Sequence, residues 1–246
     1  MNGGIVLVVG LLLDAALGEP KWIWDRWPHP VVVMGRLIAW ADERFNAGRA
    51  RRLKGGLLVS GLVGLAFTVG HAIEAVLPGV LEAVVVAVLL AQRSLSDHVK
   101  GVAHGLRLSL DDGRRMVARI VGRDTRPLDE SGVARAAIES AAENLSDGVM
   151  APALWYLLLG LPGMLIYKVV NTADSMIGYR TERHSEFGWA AARLDDVLNW
   201  APARLTALIL IGVYARAEAW AVVRRDARLH RSPNAGWPEA ATAAIL

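Results

Sequence analysis

The chain has 246 residues, of which 54% are hydrophobic and 21% are charged, and its mean hydropathy is +0.33. This hydrophobic share exceeds the globular norm, and the charge that remains requires polar blocks between the apolar ones. The net charge of +3 is too balanced for a nucleic-acid partner, and the absence of cysteine excludes disulfides, thiolate metal sites and a cysteine nucleophile. We predict an all-helical, multi-pass integral membrane protein with polar helical or loop segments on the cytoplasmic face.

Apolar blocks are predicted to form the membrane helices. They lie at about 3–17, 55–77, 80–91, 149–170 and 201–223. The first is short for a hydrocarbon core of roughly 30 Å, and no basic segment precedes it, so we expect a retained span and no cleaved signal peptide. The prolines and tryptophans of 18–54 predict a turn-rich segment near the lipid headgroups. In the second block, Gly56, Ser60 and Gly64 predict a small-residue face against which another helix packs.

Two basic segments predict the orientation of the chain. Residues 18–54 carry eight Lys and Arg and residues 92–148 carry nine, and such loops favour the cytoplasmic side. The fourth apolar block contains a Gly-Leu-Pro-Gly motif and either crosses once or forms a re-entrant hairpin. We favour the hairpin because it keeps 171–200 on the side of the other polar segments. The basic residues after Val223 fit neither version, so the direction of the last span stays open.

Acidic residues recur on one face of the helix predicted before the fourth block. Glu139, Glu143 and Asp147 stand at i, i+4 and i+8, within an arc of about 80° on an ideal helix. Each such like-charge pair costs roughly 0.2–0.5 kcal/mol, and a divalent cation removes this repulsion. Oxygen ligands favour Mg²⁺. A solvated acidic face is the alternative interpretation.

A second constellation follows the fourth block. Asn171, Asp174, Ser175 and Gly178 recur at i, i+3, i+4 and i+7, on one face of a helix that leaves an apolar segment. Polar residues at this depth are candidates for function, although a helix cap explains Asn171 or Asp174 singly. Lys168, one turn earlier, adds a cation.

Further candidates are a histidine, two arginines and two adjacent aspartates. His29 lies between two prolines that restrict its backbone, which makes it a candidate to touch substrate. Arg180 and Arg183 suit phosphate, and a basic patch at the membrane surface explains either one equally well. Asp195 and Asp196 follow Arg193, and a purely structural arginine–aspartate pair there is the alternative to a functional role.

Motifs along nearly the whole chain together resemble one family. They are Gly18-Glu19-Pro20, Pro28-His29-Pro30, Val121-Gly122-Arg123-Asp124-Thr125, Ile138-Glu139-Ser140, Glu143-Asn144, Ser146-Asp147-Gly148, Asn171-Thr172, Asp174-Ser175-Met176-Ile177-Gly178-Tyr179, Arg193-Leu194-Asp195-Asp196-Val197 and Ser232-Pro233-Asn234-Ala235-Gly236. In this order they resemble the CbiB family, also called CobD, the adenosylcobinamide-phosphate synthases of cobalamin biosynthesis.

The resemblance implies a multi-pass enzyme of the inner cell membrane, one family domain over residues 1–246, whose active site faces the cytoplasm. Such an enzyme joins adenosylcobyric acid to (R)-1-amino-2-propanol phosphate, or a related amino alcohol, as an amide, with ATP and Mg²⁺. Family members continue for several tens of residues after the segment that ends at Gly236, so we expect the C-terminal end of the family to be missing. Association with a second copy or with other corrinoid-pathway enzymes is left open.

The amide-forming chemistry assigns hypothetical roles to the candidate residues. The metal is assigned to four carboxylates: Glu139, Glu143, Asp147 and Asp174. The nucleotide and its phosphates are assigned to Asn144, Asn171, Ser175, Lys168, Arg180 and Arg183. The amine proton is assigned to His29, Asp195 or Asp196. Two alternatives stay in view: an intramembrane Mg²⁺-dependent prenyl- or alcohol-phosphate transferase, and a transporter or scaffold whose broken helices line a pathway.

Overall fold

The computed structural model describes residues 2–246, and within that range the chain is helical and contains no strand. This confirms the predicted all-helical class. The α-helices are α1 (Gly3–Leu17), α2 (Lys21–Trp24), α3 (Pro30–Phe45), α4 (Arg51–Val76), α5 (Gly79–Leu89), α6 (Gln92–Leu108), α7 (Leu110–Val117), α8 (Glu130–Leu145), α9 (Ala151–Ile177), α10 (Trp189–Leu198), α11 (Trp200–Val213), α12 (Ala219–Asp226) and α13 (Gly236–Ile245).

Three helical stretches are long and apolar enough to cross a membrane: Arg51–Val76, Gly79–Leu108 and Glu130–Ile177. The helices α10 and α11 pass the same test only when they are taken together as one broken span. With 15 residues, α1 is apolar but shorter. These helices confirm the predicted class of helical membrane protein, while the side on which the polar segments lie stays a prediction.

Two stretches depart from the predicted helix pattern. The prediction that 18–54 is turn-rich rather than helical is wrong, because 16 of its residues form α3. Pro30 occupies the first turn of that helix, where a missing N–H costs no intrahelical hydrogen bond. The apolar block at 201–223 is interrupted, since α11 ends at Val213 and α12 begins at Ala219. Between them Ala215 adopts a φ of 52°, which a continuous right-handed helix excludes.

The Cα positions divide the chain into two compact units, the first comprising the residues up to Leu90 with Ala151–Asn199, and the second Ala91–Met150 with Trp200–Leu246. In the first unit, α9 packs against α4, α3 and α10, and α1 packs against α5. Large buried side chains at the centre of this core include Tyr167, Phe187 and Leu161.

The buried face of α4 differs from the predicted one by a rotation of about one residue. It consists of Gly55, Val59, Leu62, Ala66 and Gly70. Gly55 lies against the backbone of Phe187 and Gly70 against that of Pro162, so closely that a Cβ at either position would clash. Gly56 and Gly64 instead have open space around them. Within this chain the predicted packing face of α4 is therefore wrong. The adjacent face packs instead, because it carries Gly55 and Gly70 at the two closest backbone approaches.

A break at Gly160 interrupts α9, as the Gly-Leu-Pro-Gly motif predicts. Gly160 has φ 68° and ψ −158°, a conformation open in practice only to glycine. The break removes the intrahelical partner of the next backbone N–H, and Leu161 instead donates to Oε1 of Glu74 on α4 at 2.7 Å. Such a substitute partner is what a helix interrupted within a membrane requires. Whether the chain turns back at this break as a re-entrant hairpin stays a prediction.

The second unit holds two apolar cores, one among α6, α7 and α8 and the other among α11, α12 and α13. At the end of α8 the backbone widens into a π-helical turn, Ser146–Met150. The N–H of Ala91 donates to the carbonyl of Gly148 in this turn at 3.1 Å. The hydroxyl of Ser146 is buried and has no hydrogen-bond partner among residues 2–246. Turns of this kind are rare and recur at functional sites.

Candidate active site

A polar cluster joins α9 to α10 in the first unit. Asp195 accepts hydrogen bonds from the side-chain amides of Asn171 at 3.2 Å and Asn199 at 3.0 Å. The hydroxyl of Tyr167 donates to Oδ1 of Asn199 at 2.9 Å, and both of these side chains are buried. Asp174 lies near enough to Asp195 for the two carboxylates to repel each other. Two separate predicted motifs therefore converge on Asp195.

Helical spacing accounts for this convergence. On α9, Tyr167, Asn171 and Asp174 follow one another at i, i+4 and i+7. Asp195 on α10 and Asn199, the residue that caps this helix, are one turn apart, so each set lies on one face. Apolar side chains of the same two helices are buried in the core around them. The packing that buries the apolar residues thus also brings the polar ones together.

The other predicted site residues on α9 and α10 are not all part of this cluster. Asp196 forms an ion pair with Arg193 at 3.0 Å, which is the structural arrangement that was its alternative role. Ser175 is exposed and Lys168 is partly buried, both on α9. Gly178 leaves room for the carboxylate of Asp174, because a Cβ atom at residue 178 would clash with that carboxylate.

The oxygen donors of the cluster suit Mg²⁺ in type, but they do not form a closed cage. Among residues 2–246, no three His, Asp or Glu side chains are grouped so that they could hold a metal ion. A Mg²⁺ ion bound through Asp174 or Asp195 would therefore take its other ligands from amide oxygens, water and substrate phosphates, as this ion commonly does. Its presence stays a prediction.

His29 lies in the same unit and has a partner on each ring nitrogen. Nδ1 accepts the N–H of Val31 at 3.3 Å, and Nε2 lies 3.1 Å from the carbonyl of Val88, so the neutral ring carries its proton on Nε2. Burial lowers the pKa of His29; Glu19 and the Val88 carbonyl oppose this, and Lys168 adds to it. As a base, His29 would first have to release the Val31 N–H. Its catalytic role stays a prediction.

Arg183, a candidate for phosphate, has a partner within the protein. Its Nε and Nη2 donate to Oδ2 of Asp42 at 3.0 and 2.6 Å, and Asn46 donates to Oδ1 of the same carboxylate at 2.7 Å. Burial by itself raises the pKa of Asp42, yet the hydrogen bonds from Arg183, Asn46 and His184 hold it below the ordinary value. Arg180 is exposed and pairs with no residue in the range 2–246, so it is the better placed of the two arginines for phosphate.

The predicted metal carboxylates divide between the units. Glu139, Glu143 and Asp147 belong to the second unit and Asp174 to the first. Glu139 forms an ion pair with Arg123 at 2.6 Å, Glu143 is exposed, and Asp147 lies in the π-helical turn, where the α-helical spacing behind the prediction no longer holds. One ion shared by all four residues stays a prediction.

Two residues that interact with each other, both outside the predicted set, are among those that line a cleft of about 690 Å³ in the second unit, together with Glu139. They are His230 and Glu239, 3.8 Å apart, one before and one after the Ser232–Gly236 turn. Burial raises the pKa of Glu239, His230 opposes this, and the carboxylates of Glu143 and Glu139 add to it. The only signal in the sequence was the turn itself, which brings its two flanks together.

Comparison with known proteins gives a single family. Residues 7–246 match the family described as CobD/Cbib protein. A relative from Brucella suis biovar 1 (strain 1330), named cobalamin biosynthesis protein CobD, is 49% identical over 98% of this chain and 80% of its own length. Proteins of that name from Rhizobium meliloti (strain 1021) and Rhodobacter capsulatus are 50% and 48% identical, over 97% and 100% of this chain and 79% and 81% of their own lengths. No solved structure matches the chain.

Proposed function

This chain belongs to the CobD/CbiB family of cobalamin biosynthesis proteins, and on that premise we propose that it is a membrane-bound, ATP-dependent ligase. Its substrates are adenosylcobyric acid and (R)-1-amino-2-propanol phosphate or a related amino alcohol phosphate. Its product is the amide, adenosylcobinamide phosphate. The observation that carries this proposal beyond the family is the convergence of α9 and α10 on Asp195, which joins two of the family-like motifs in one polar cluster.

The reaction must overcome the low reactivity of a carboxylate towards an amine. In the first step a carboxylate oxygen of the corrinoid attacks the γ-phosphorus of ATP, the bond from that phosphorus to the ADP oxygen breaks, and an acyl phosphate forms. In the second step the neutral amine attacks the acyl carbon and the bond to phosphate breaks. The nitrogen then loses one proton, so the products are the amide, ADP, phosphate and a proton.

The residues of the cluster suit the parts of this reaction that carry charge. Mg²⁺, when bound, would neutralise the phosphoryl oxygens. Lys168 and Arg180 supply cations on the same segment as Asp174, and such groups stabilise the charge that develops on phosphoryl transfer. Asp195 is held by two amide donors, which fix its carboxylate at a defined position to accept the amine proton.

The three relatives from Brucella suis, Rhizobium meliloti and Rhodobacter capsulatus are named as cobalamin biosynthesis proteins, which favours this function over the two alternatives. No feature of residues 2–246 specifically favours a prenyl- or alcohol-phosphate transferase or a transporter.

The direct test is product formation by the full chain, purified in detergent and reconstituted in nanodiscs. Adenosylcobyric acid, ATP, Mg²⁺ and (R)-1-amino-2-propanol phosphate are supplied together, and then each is left out in turn. We expect a new corrinoid whose mass equals that of the amide, formed only in the complete mixture and in step with ADP release. Amide formation without ATP, or ATP hydrolysis without amide, would refute the proposal.

A further inference from the structure

A cavity of about 400 Å³ lies wholly within the second unit, between the start of α6, the segment after α7, and α8. All of its lining residues belong to the second unit, whereas the residues of the cluster around Asp195 belong to the first. Its lining includes Ser94, Leu95, His98, Arg119, Ser140 and Asn144.

Hydrogen bonds hold the walls of this cavity in place. The hydroxyl of Ser140, buried on α8, donates to the carbonyl of Ile120 at 2.8 Å. The side-chain amide of Asn144 donates to the carbonyl of Ser140 at 2.8 Å. Beyond the cavity, Nε of Arg114 donates to the carbonyl of Leu128 at 2.7 Å and ties α7 to the segment before α8. The cavity is therefore preformed, which lowers the entropy cost of binding a ligand.

The polar groups in the lining favour an anion. None of the lining residues is Asp or Glu. The guanidinium of Arg119 forms no ion pair or hydrogen bond with any of residues 2–246. Nδ1–H of His98 donates to the carbonyl of Ser94 at 2.7 Å, so Nε2 is the ring nitrogen left for a ligand, and it donates to a phosphate oxygen when both ring nitrogens are protonated. The Arg119 guanidinium, which pairs with no carboxylate, and the Ser94 hydroxyl form a set of donors suited to phosphate oxygens. The imidazolium form of His98 adds Nε2–H as a further donor.

The size and the apolar part of the lining indicate what the phosphate is attached to. A volume of about 400 Å³ is at the small end for ligand sites. Leu95, Ile120 and Val121 provide apolar surface for a short carbon chain. A nucleoside triphosphate carries more charge than one arginine and one histidine balance, and it needs more room.

We propose that this cavity binds a small phosphate monoester. The identification of this monoester as the amino-alcohol phosphate substrate rests on the proposed function. Arg119 is then a phosphate-binding residue and determines specificity for the phosphorylated amine over the free one. The Val121–Thr125 motif, to which the family resemblance attaches no role, supplies two residues of the wall.

The test is binding of the phosphate monoester to the full chain in nanodiscs, measured by isothermal titration calorimetry in the absence of corrinoid. The probes are (R)-1-amino-2-propanol phosphate, inorganic phosphate, ATP and the unphosphorylated amino alcohol. We expect the monoester to bind and the free alcohol not to. In Arg119→Gln, affinity for the monoester should fall about 10- to 100-fold, the loss expected for charge-assisted hydrogen bonds.

Two further variants protect this test. Arg107→Gln removes an exposed arginine that is not in the lining and should bind like the parent chain. Gly122 has open space around it, so Gly122→Asp should fold and place a repelling carboxylate at the wall, which also weakens binding. Equal monoester binding in Arg119→Gln and the parent, no monoester binding by the parent, or an Arg119→Gln effect confined to ATP would each overturn the proposal.

Turnover separates this proposal from the proposed function. If amide forms, Arg119→Gln should raise KM for the amine substrate and leave KM for ATP unchanged. If amide does not form but the monoester binds in an Arg119-dependent way, the cavity is a phosphate site and the proposed function fails alone.

Discussion

Replacing Arg183 with glutamine tests whether this arginine holds the loop after α9 or binds phosphate. The change removes two of the hydrogen bonds to Asp42, whose side chain is only 10% exposed, and leaves those from Asn46 and His184. Hydrogen bonds to a charged group contribute about 1.5–3 kcal/mol. The Arg183 side chain is 59% exposed, so solvent screening reduces its share, and we expect a loss of about 1–2 kcal/mol in the free energy of unfolding.

Thermal unfolding in detergent measures this loss. For a chain of this size, about 1–2 kcal/mol corresponds to a fall in Tm of roughly 2–8 °C. Arg180→Gln is the matched control, because Arg180 is exposed and pairs with no residue among 2–246, and its Tm should stay at the parent value. In a double-mutant cycle with Asp42→Asn, the two losses should not add. An unchanged Tm in Arg183→Gln, with a raised KM for ATP, would refute the structural role.

Three further predictions concern pH and backbone conformation. The pKa of Asp42 is lowered in the folded chain, so the stability that this carboxylate contributes is present above the ordinary aspartate pKa of about 3.9 and is lost as pH falls through the folded-state pKa. In chemical unfolding, the difference in stability between the parent and Asp42→Asn should therefore shrink on acidification. A constant difference would show that the hydrogen bonds of Asp42 do not depend on its charge. The pKa of Glu239 is raised in the folded chain, so its ionisation destabilises the fold as pH rises through the folded-state pKa. Glu239→Gln should therefore be more stable than the parent at pH 7 and equal to it below about pH 4. A variant less stable than the parent at pH 7 would contradict this. Gly160→Ala should cost about 1–3 kcal/mol because of its positive φ and its contact with Glu74, while Gly61→Ala, in open space, should cost nothing measurable by thermal unfolding; equal losses would exclude the conformational cause.

The apolar pattern predicts the helices better than it predicts their faces. The first block coincides with α1, and the Gly-Leu-Pro-Gly motif marks the break at Gly160, because both signals are local. The buried face of α4 was missed by one residue because Gly55 and Gly56 are adjacent, and only the approach of Phe187 shows which one is at the contact. The prolines of 18–54 do not predict α3, because proline breaks a helix in its interior but is favoured in its first turn, where Pro30 lies.

The candidate site was predictable where spacing along one helix suffices. Asn171 and Asp174 share a face of α9, and Asp195 meets them because the apolar sides of α9 and α10 pack together. The partner of Arg183 was not predictable, since Asp42 lies 141 residues away and no local pattern connects them. No local pattern indicates His230 and Glu239 either, because what distinguishes them is the cleft that both line.

The role of Asp195 in amide formation can be measured most directly in the reconstituted assay with Asp195→Asn. This substitution keeps the size of the side chain and removes the carboxylate that Asn171 and Asn199 hold in place. Asp97→Asn, which removes an exposed partner of Arg93 on α6, is the control. We predict that kcat falls at least about 100-fold in Asp195→Asn and stays at the parent value in Asp97→Asn, with both proteins folded. A kcat in Asp195→Asn equal to that of the parent would contradict the account.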